Sequence, residues 1–239
     1  MRAFINTFHD FRRSWDSAVL LSLPAFLGVL LTMLFSNYIY TALGSIFLRA
    51  SDIALLSPFE FLIALVVVII AVSLLSFTVI AISILVKEGR TNIDFTSNKV
   101  IRRIIKHLPQ LAFLYLLLFV LGFLMQLLSL YTHFLLGFHI LLFLVFGFVF
   151  AMPYAIAIDD YKFAVAFIKS FSMFMKNPAN YFAWVIFNFV AIILISNLSF
   201  IILSYETGSY VAYALISLLV LPFSIILAAH LYMDKYPLS

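Results

Sequence analysis

The chain has 239 residues, 66% of them apolar, 18% aromatic and only 10% charged, with a formal net charge of +4. A soluble domain carries about a quarter charged residues, so a water-soluble fold is excluded and the solvent for most of this chain is lipid. There is no cysteine, which removes disulfides and thiolate chemistry, and the apolar runs leave no stretch for a separate soluble domain, so residues 1–239 read as one integral membrane domain.

Residues 2–16 are amphipathic. Phe4, Phe8, Phe11 and Trp15 recur at helical spacing, with Asn6, His9, Asp10 and Arg13 largely off their face. The pattern predicts a helix lying in the membrane interface, rings in the acyl boundary and cations at the headgroups. The alternative is an amphipathic helix packed on its own protein. The stretch does not read as a signal peptide, because no convincing small-residue cleavage site follows it. A first span is predicted at about 18–40, with Pro24 near its mouth, where helical N–H groups lack partners anyway. Asn37, Tyr38 and Tyr40 mark its far interface. Residues 41–57 read as a loop with a short helix around Ile46, and Ser57-Pro58-Phe59-Glu60 as a helix start.

The second span, about 59–86, is longer than a hydrocarbon core of ~30 Å requires and should tilt or protrude. Lys87-Glu88-Gly89-Arg90 stops it. A second surface helix is predicted from Asn92 to His107, with Ile101, Ile104 and Ile105 continuing into Leu108 as its apolar members and Lys99, Arg102, Arg103 and Lys106 as its charged side. Pro109 then opens span three, 109–131. The link through Thr132 and His133 is short, and span four covers 134–158, with Pro153 loosening its last turns. After Asp159-Asp160 comes a third surface helix whose Lys162, Lys169 and Lys176 are spaced by sevens and so stay nearly in line. Phe163, Phe167 and Phe174 occupy a neighbouring face and are expected to point into the membrane. Asn177-Pro178 ends that helix; spans five and six follow at about 180–203 and 210–233, with Pro222 in the middle of the last.

The fold expected is therefore all-α: a polytopic membrane protein of six transmembrane helices in three parallel repeats, each preceded by a cytoplasmic amphipathic helix and each with a proline at its mouth, Pro24, Pro109 and Pro178. Six spans put thirteen basic residues on one side and only Arg49 on the other. The positive-inside rule then makes both termini cytoplasmic.

Chemistry-bearing residues are sparse. His230 and Asp234 are four apart on one helix face, as metal ligands or a proton-handling pair, or simply as an interfacial histidine and an aspartate at a helix end. Asp159 and Asp160 either pair with His230 or Lys235 at the same depth or sit at the N-terminus of the third surface helix, where its dipole favours anions. Inside the spans the polar candidates are Gln126, His139 and Asn188, which would line a polar cavity or hydrogen-bond between helices. No catalytic, metal or cofactor site is expected, and no nucleic-acid partner. The cationic residues Arg12, Arg13, Arg102, Arg103, Lys106, Lys162, Lys169 and Lys176 are the expected contacts to lipid headgroups, each contributing about 1 kcal/mol near an anionic leaflet.

Three stretches carry a resemblance. They are the apolar run with Pro153 followed by Asp159-Asp160, Ala164-Val165-Ala166-Phe167-Ile168-Lys169-Ser170 and Lys176-Asn177-Pro178; Lys87-Glu88-Gly89-Arg90 ahead of a basic helix with Leu108-Pro109; and the end from Pro222 through Leu231-Tyr232. Together they resemble the YciC-like family of bacterial inner-membrane proteins and are similar to the membrane domain attached to some glycerophosphodiester phosphodiesterases. The resemblance covers nearly the whole chain. It implies an inner-membrane module without an assigned activity and carries over no catalytic residue. The expected function is non-enzymatic: engagement of anionic phospholipid, or scaffolding of a protein partner, in envelope or lipid homeostasis. The alternative is a carrier of a hydrophobic or lipidic solute, gated at Pro153 and Pro222.

Overall fold

The computed structural model describes residues 2–35, 58–91, 97–132, 135–203 and 205–236. All the regular structure among them is helical. In chain order the helices are α1 (Arg2–Arg13), α2 (Trp15–Leu34), α3 (Pro58–Thr91), α4 (Ser97–Thr132), α5 (Leu135–Val149), α6 (Met152–Asp159), α7 (Phe163–Lys176), α8 (Pro178–Ile202), α9 (Tyr205–Leu215) and α10 (Leu221–Lys235). A π-helical turn, Ile216–Val220, joins the last two. Six stretches are long and apolar enough to cross a membrane: 15–34, 62–91, 99–125, 136–159, 178–202 and 207–235. The protein is a multi-pass membrane protein. The predicted loop at 41–57, the cap at Ser57 and the far-interface residues Asn37, Tyr38 and Tyr40 lie outside the described residues.

The spans alternate in direction, which gathers Lys87, Arg90, Lys106, Asp160, Asp234 and α1 at one end of the bundle, here the charged end. The core sits in this half. Residues 78–84 of α3, 152–158 of α6 and 224–233 of α10 are buried without interruption. A helix buried on all sides must be apolar all round, and these three stretches are made almost entirely of Ala, Ile, Leu, Val and Met with small hydroxyl residues. By contrast, α8 buries only Tyr181 and Ser199. Much of its remaining apolar surface faces outward, as lipid permits.

Prolines break the spans, and neighbouring hydroxyls repair them. Pro24 lies inside α2 and disturbs the local ladder; the N–H of Ala25 donates instead to Thr78 Oγ1 of α3 at 3.2 Å. Close approach here is made possible by Gly28, where a Cβ would stand 3.2 Å from the Ala71 carbonyl oxygen. Span four is broken at Phe150–Ala151, just ahead of Pro153 in the first turn of α6. The N–H of Ala151 donates to Ser170 Oγ of α7 at 3.0 Å. In a bilayer a freed N–H has no water to turn to, so such partners decide whether a kink is tolerated. Pro222 is handled differently: the wider π turn precedes it, leaving Pro222 in the first turn of α10.

Three expectations need correction. The surface helix predicted at Asn92–His107 and the span predicted to open at Pro109 are one helix, α4, with Pro109 inside it. Ile104, His107, Leu111, Leu114 and Leu118 form a single buried stripe through the supposed boundary, and packing along that stripe outweighs one missing hydrogen bond. At 1.5 Å per residue α4 is about 54 Å long, so its basic end projects well beyond a ~30 Å core. Secondly, the three junctions placed in equivalent repeats are built differently: Ser14 alone separates α1 from α2, nothing separates the two halves of α4, and Asn177 separates α7 from α8. Thirdly, Phe174 does not point into lipid. It is buried beneath Gly147, where any Cβ would collide with its ring, and packs edge-on against Phe148 and Tyr181. The rings predicted on one face of residues 2–16 divide likewise: Phe4 and Phe11 pack on Phe187 and Phe223, while Phe8 and Trp15, the first residue of α2, stay exposed.

Candidate functional site

Two features of the bundle carry chemistry: a polar network at the charged end and an aromatic cleft within the spans.

The network is centred on the C-terminus of α6. Asp160 follows the helix in the left-handed conformation, φ 61°, and both its own N–H and that of Tyr161 return to the Ala155 carbonyl. Glycine is the usual occupant of such a position; aspartate tolerates it and brings a charge. Lys106 Nζ donates to both Asp160 carboxylate oxygens at 2.7 Å, and His107 Nε2 stands 3.0 Å from one of them. Hydrogen bonding from Lys106, foremost, holds the Asp160 carboxyl below the usual carboxylate range. Next to it, Lys87 Nζ donates to the Ile158 carbonyl at 2.6 Å, a cation at the negative end of the α6 dipole. Tyr232 of α10 donates to Asp159. Further out, Arg90 bonds Asp234 at 2.6 Å, and His230 Nε2 lies 2.9 Å from Asp10 of α1. His107 and His230 are each only 1% exposed. Nδ1 of both rings lacks a hydrogen-bond partner among the described residues.

Thus Asp159 and Asp160 do pair across helices, but with Tyr232, Lys106 and His107 rather than with His230 or Lys235. Nor do they sit at the start of α7, which begins at Phe163. His230 is within ion-pair reach of Asp10, not of its helix neighbour Asp234. Among the described residues no three His, Asp or Glu side chains are grouped so as to hold a metal ion.

The eight cations expected at headgroups fall into two sets. Lys106 is held by Asp160. Lys169 lies over the rings of Tyr236 and Tyr161, 5.1 and 5.9 Å from their centroids. Arg103 is half-buried and engaged. Arg12, Arg13, Arg102, Lys162 and Lys176 are exposed and form no ion pair among the described residues.

The cleft lies between α3, α4, the α5–α6 bend and α8. Its volume is about 440 Å³ and its walls include Tyr115, Leu118, Phe150, Tyr154, Tyr181 and Trp184. Phe119 and Phe146 at the rim are exposed. Ring contacts build one wall, with Phe150 5.1 Å from Trp184 and 5.5 Å from Tyr181. Tyr181 donates to the Phe143 carbonyl at 3.1 Å and Trp184 Nε1 to the Ser224 carbonyl at 3.0 Å. The hydroxyls of Tyr115 and Tyr154 donate to nothing among the described residues, although Tyr154 is only 5% exposed. A second cavity of about 340 Å³ lies across α3, between α2 and the π turn, where Ile216 and Ser217 face Gly28 and Ala71.

Of the residues expected to form a polar cavity, neither His139 nor Asn188 lines either space. Asn188 donates to the Trp184 carbonyl of its own helix at 2.8 Å, His139 is exposed and engaged, and the Gln126 side chain lies outside the described residues. The residues that sequence reasoning missed are Asp10, Tyr115, Tyr154 and Trp184. One signal was available: tyrosines within three turns of a basic or acidic helix end, as Tyr115 and Tyr154 are, sit at the depth where amphipathic rings collect. Comparison of the chain with protein-family models, with curated proteins and with solved structures finds no match.

Proposed function

We propose that this chain is a non-enzymatic, multi-pass protein of a bacterial inner membrane, with both termini cytoplasmic, whose charged end engages anionic phospholipid headgroups. The observation that carries it is the division of labour among the cations. Lys87, Arg90, Lys106 and Lys169 tie helices together, and six exposed cations, Arg12, Arg13, Lys99, Arg102, Lys162 and Lys176, remain at the same end without anionic partners among the described residues. The thirteen-to-one distribution of basic residues supports the orientation, and the likeness to the YciC-like family supports the choice of membrane. The test is the lipid retained by the purified Arg102→Gln/Lys162→Gln/Lys176→Gln variant, read by native mass spectrometry. Retention of phosphatidylglycerol should fall against wild type, most at low salt, where screening is weakest. Equal retention at low salt overturns the proposal and leaves these cations as markers of orientation.

The second function, carriage of a hydrophobic or lipidic solute, is favoured by one arrangement. The helix breaks at Phe150–Ala151 and Ile216–Val220 border the two cavities, and Val72 and Leu75 of α3 line both. Stiffening the breaks by Pro153→Ala and Pro222→Ala should then slow movement of solute between the two leaflets. An unchanged rate removes this function.

A further inference from the structure

Two phenols that donate to nothing are unusual in a bundle that otherwise places its polar rings with care. Tyr181 and Trp184 stand in the same wall and both reach backbone carbonyls. A hydroxyl that opens onto an apolar cleft without an acceptor is costly, because the hydrocarbon there offers it no partner. Tyr115 and Tyr154 are therefore suited to an acceptor from outside the chain.

The cleft defines the rest of that ligand. Its wall is otherwise apolar and aromatic, so the body of the ligand is hydrocarbon. It opens past Phe119 and Phe146, within the spanning stretches, where the adjoining phase is the bilayer itself. At roughly 30 Å³ per heavy atom, as for a packed water, about 440 Å³ holds on the order of fifteen atoms: one acyl chain, not two. Depth fits as well. Along the helix axis Tyr154 lies about 7 Å inward of Asp159, and Tyr115 about 13 Å inward of Lys106. The ester carbonyls of a glycerophospholipid hang beneath its phosphate in the same sense, between the charged headgroup and the chains.

We propose that the cleft between α3, α4, the α5–α6 bend and α8 binds one acyl chain of a glycerophospholipid, with the hydroxyls of Tyr115 and Tyr154 donating to its ester carbonyls. A preference for an anionic headgroup rests on the function proposed above; occupation of the cleft by the chain does not. The lipid enters sideways from the bilayer, and its second chain remains outside against the apolar surface of α8.

The protein carries its own reporter. It has two tryptophans, and Trp15→Phe leaves Trp184, in the cleft wall, as the sole tryptophan, excited selectively over the tyrosines. The full chain is reconstituted in phosphatidylcholine vesicles into which acyl-brominated phosphatidylglycerol, or acyl-brominated phosphatidylcholine, is titrated. Bromine quenches tryptophan at contact. Quenching of Trp184 should saturate at low bromolipid fraction, and Tyr115→Phe/Tyr154→Phe should weaken the apparent affinity about tenfold, the effect of losing two neutral hydrogen bonds. Val149→Phe, which fills the cleft, should return quenching to the linear dependence of lipid that merely surrounds the protein. The tyrosine double variant removes only two oxygen atoms and decides the matter alone if the filled variant does not fold. Linear quenching in the parent, or saturable quenching indifferent to both sets of changes, overturns the site. Equal affinity for the two bromolipids, with both variants still effective, upholds the site and overturns the anionic preference. Preference for phosphatidylglycerol with no response to the variants does the reverse.

Discussion

Asp160 shows how much can rest on one side chain. It terminates α6 in a conformation that suits few L-residues and gathers Lys106 and His107 of α4. The two roles separate by substitution. Asp160→Asn keeps a residue tolerant of positive φ but loses the charge; the pair is exposed on both sides, so the loss should be small, about 0.2–1 kcal/mol. Asp160→Ala loses the charge and adds left-handed strain of about 1 kcal/mol. Thermal unfolding of the solubilised protein should rank wild type above Asn above Ala; coincident Asn and Ala curves would show that the backbone there carries no strain. The same residue sets a pH dependence. Its carboxyl is held below its ordinary value, chiefly by the Lys106 hydrogen bonds, so the unfolded chain takes up the proton first as pH falls. The stability contributed by Asp160 is present above about pH 4 and is lost as pH drops through the depressed native value. The difference in melting temperature between wild type and Asp160→Asn should accordingly be flat near neutrality and shrink only in acid. A difference that shrinks between pH 8 and 6 would assign the effect to another group.

At the scale of elements, Pro109 and α1 make opposite points. Pro109 lies in the interior of α4, where proline costs about 3 kcal/mol relative to alanine. It is exposed, and the Ile105 carbonyl it deprives of a donor lies toward the protruding end of the helix. Pro109→Ala restores that bond without altering the buried stripe and should raise the melting temperature by several degrees; a fall would mean that the ring fixes a bend the packing needs. For α1, an amphipathic pattern alone does not distinguish a helix resting on lipid from one resting on protein. Burial of Ala3 and Thr7, the ring contacts of Phe4 and Phe11, and the Asp10–His230 pair place one face on α8 and α10, while Ile5 and Phe8 remain exposed. Asp10→Ala strands a buried imidazole and should cost about 1–3 kcal/mol. Amide hydrogen exchange should quicken over residues 2–13 and stay unchanged in α3; acceleration throughout would show that α1 is part of the global cooperative unit.

For the whole molecule, six spans and one charged end were legible because both are local properties of composition. Hydrocarbon length sets a run of about twenty apolar residues, and charges punctuate the runs wherever they leave the membrane. What escaped were decisions made by contact. The continuity of α4 through Pro109 depends on what Ile104 and Leu111 touch, and the partners of Asp159 and Asp160 come from α4 and α10. Tyr115 and Tyr154 were marked only by their distance from a charged helix end, a weak signal, since single tyrosines in apolar runs are ordinary. Charge distribution does make one prediction for the entire chain. Reporter fusions after Thr91, after Lys176 and after Ser239 should all signal cytoplasm, because each follows a basic segment of the charged end. A periplasmic signal at any of them would remove the six-span topology.

The docking of α1 on α10 also has a consequence in time. A ribosome delivers residues 2–13 early and residues 221–235 only after five spans have been threaded into the membrane. Phe4 lacks Phe187 until α8 emerges, and Phe11 and Asp10 lack Phe223 and His230 until α10 does. The helix must wait somewhere, and its rings make the surface of the bilayer the favoured waiting place. The amphipathic pattern so plain in this segment then serves a nascent chain first and a finished one afterwards. A chain stalled before α10 should be held at the membrane by α1 alone, and completing the last span should draw that helix off the lipid and onto the protein.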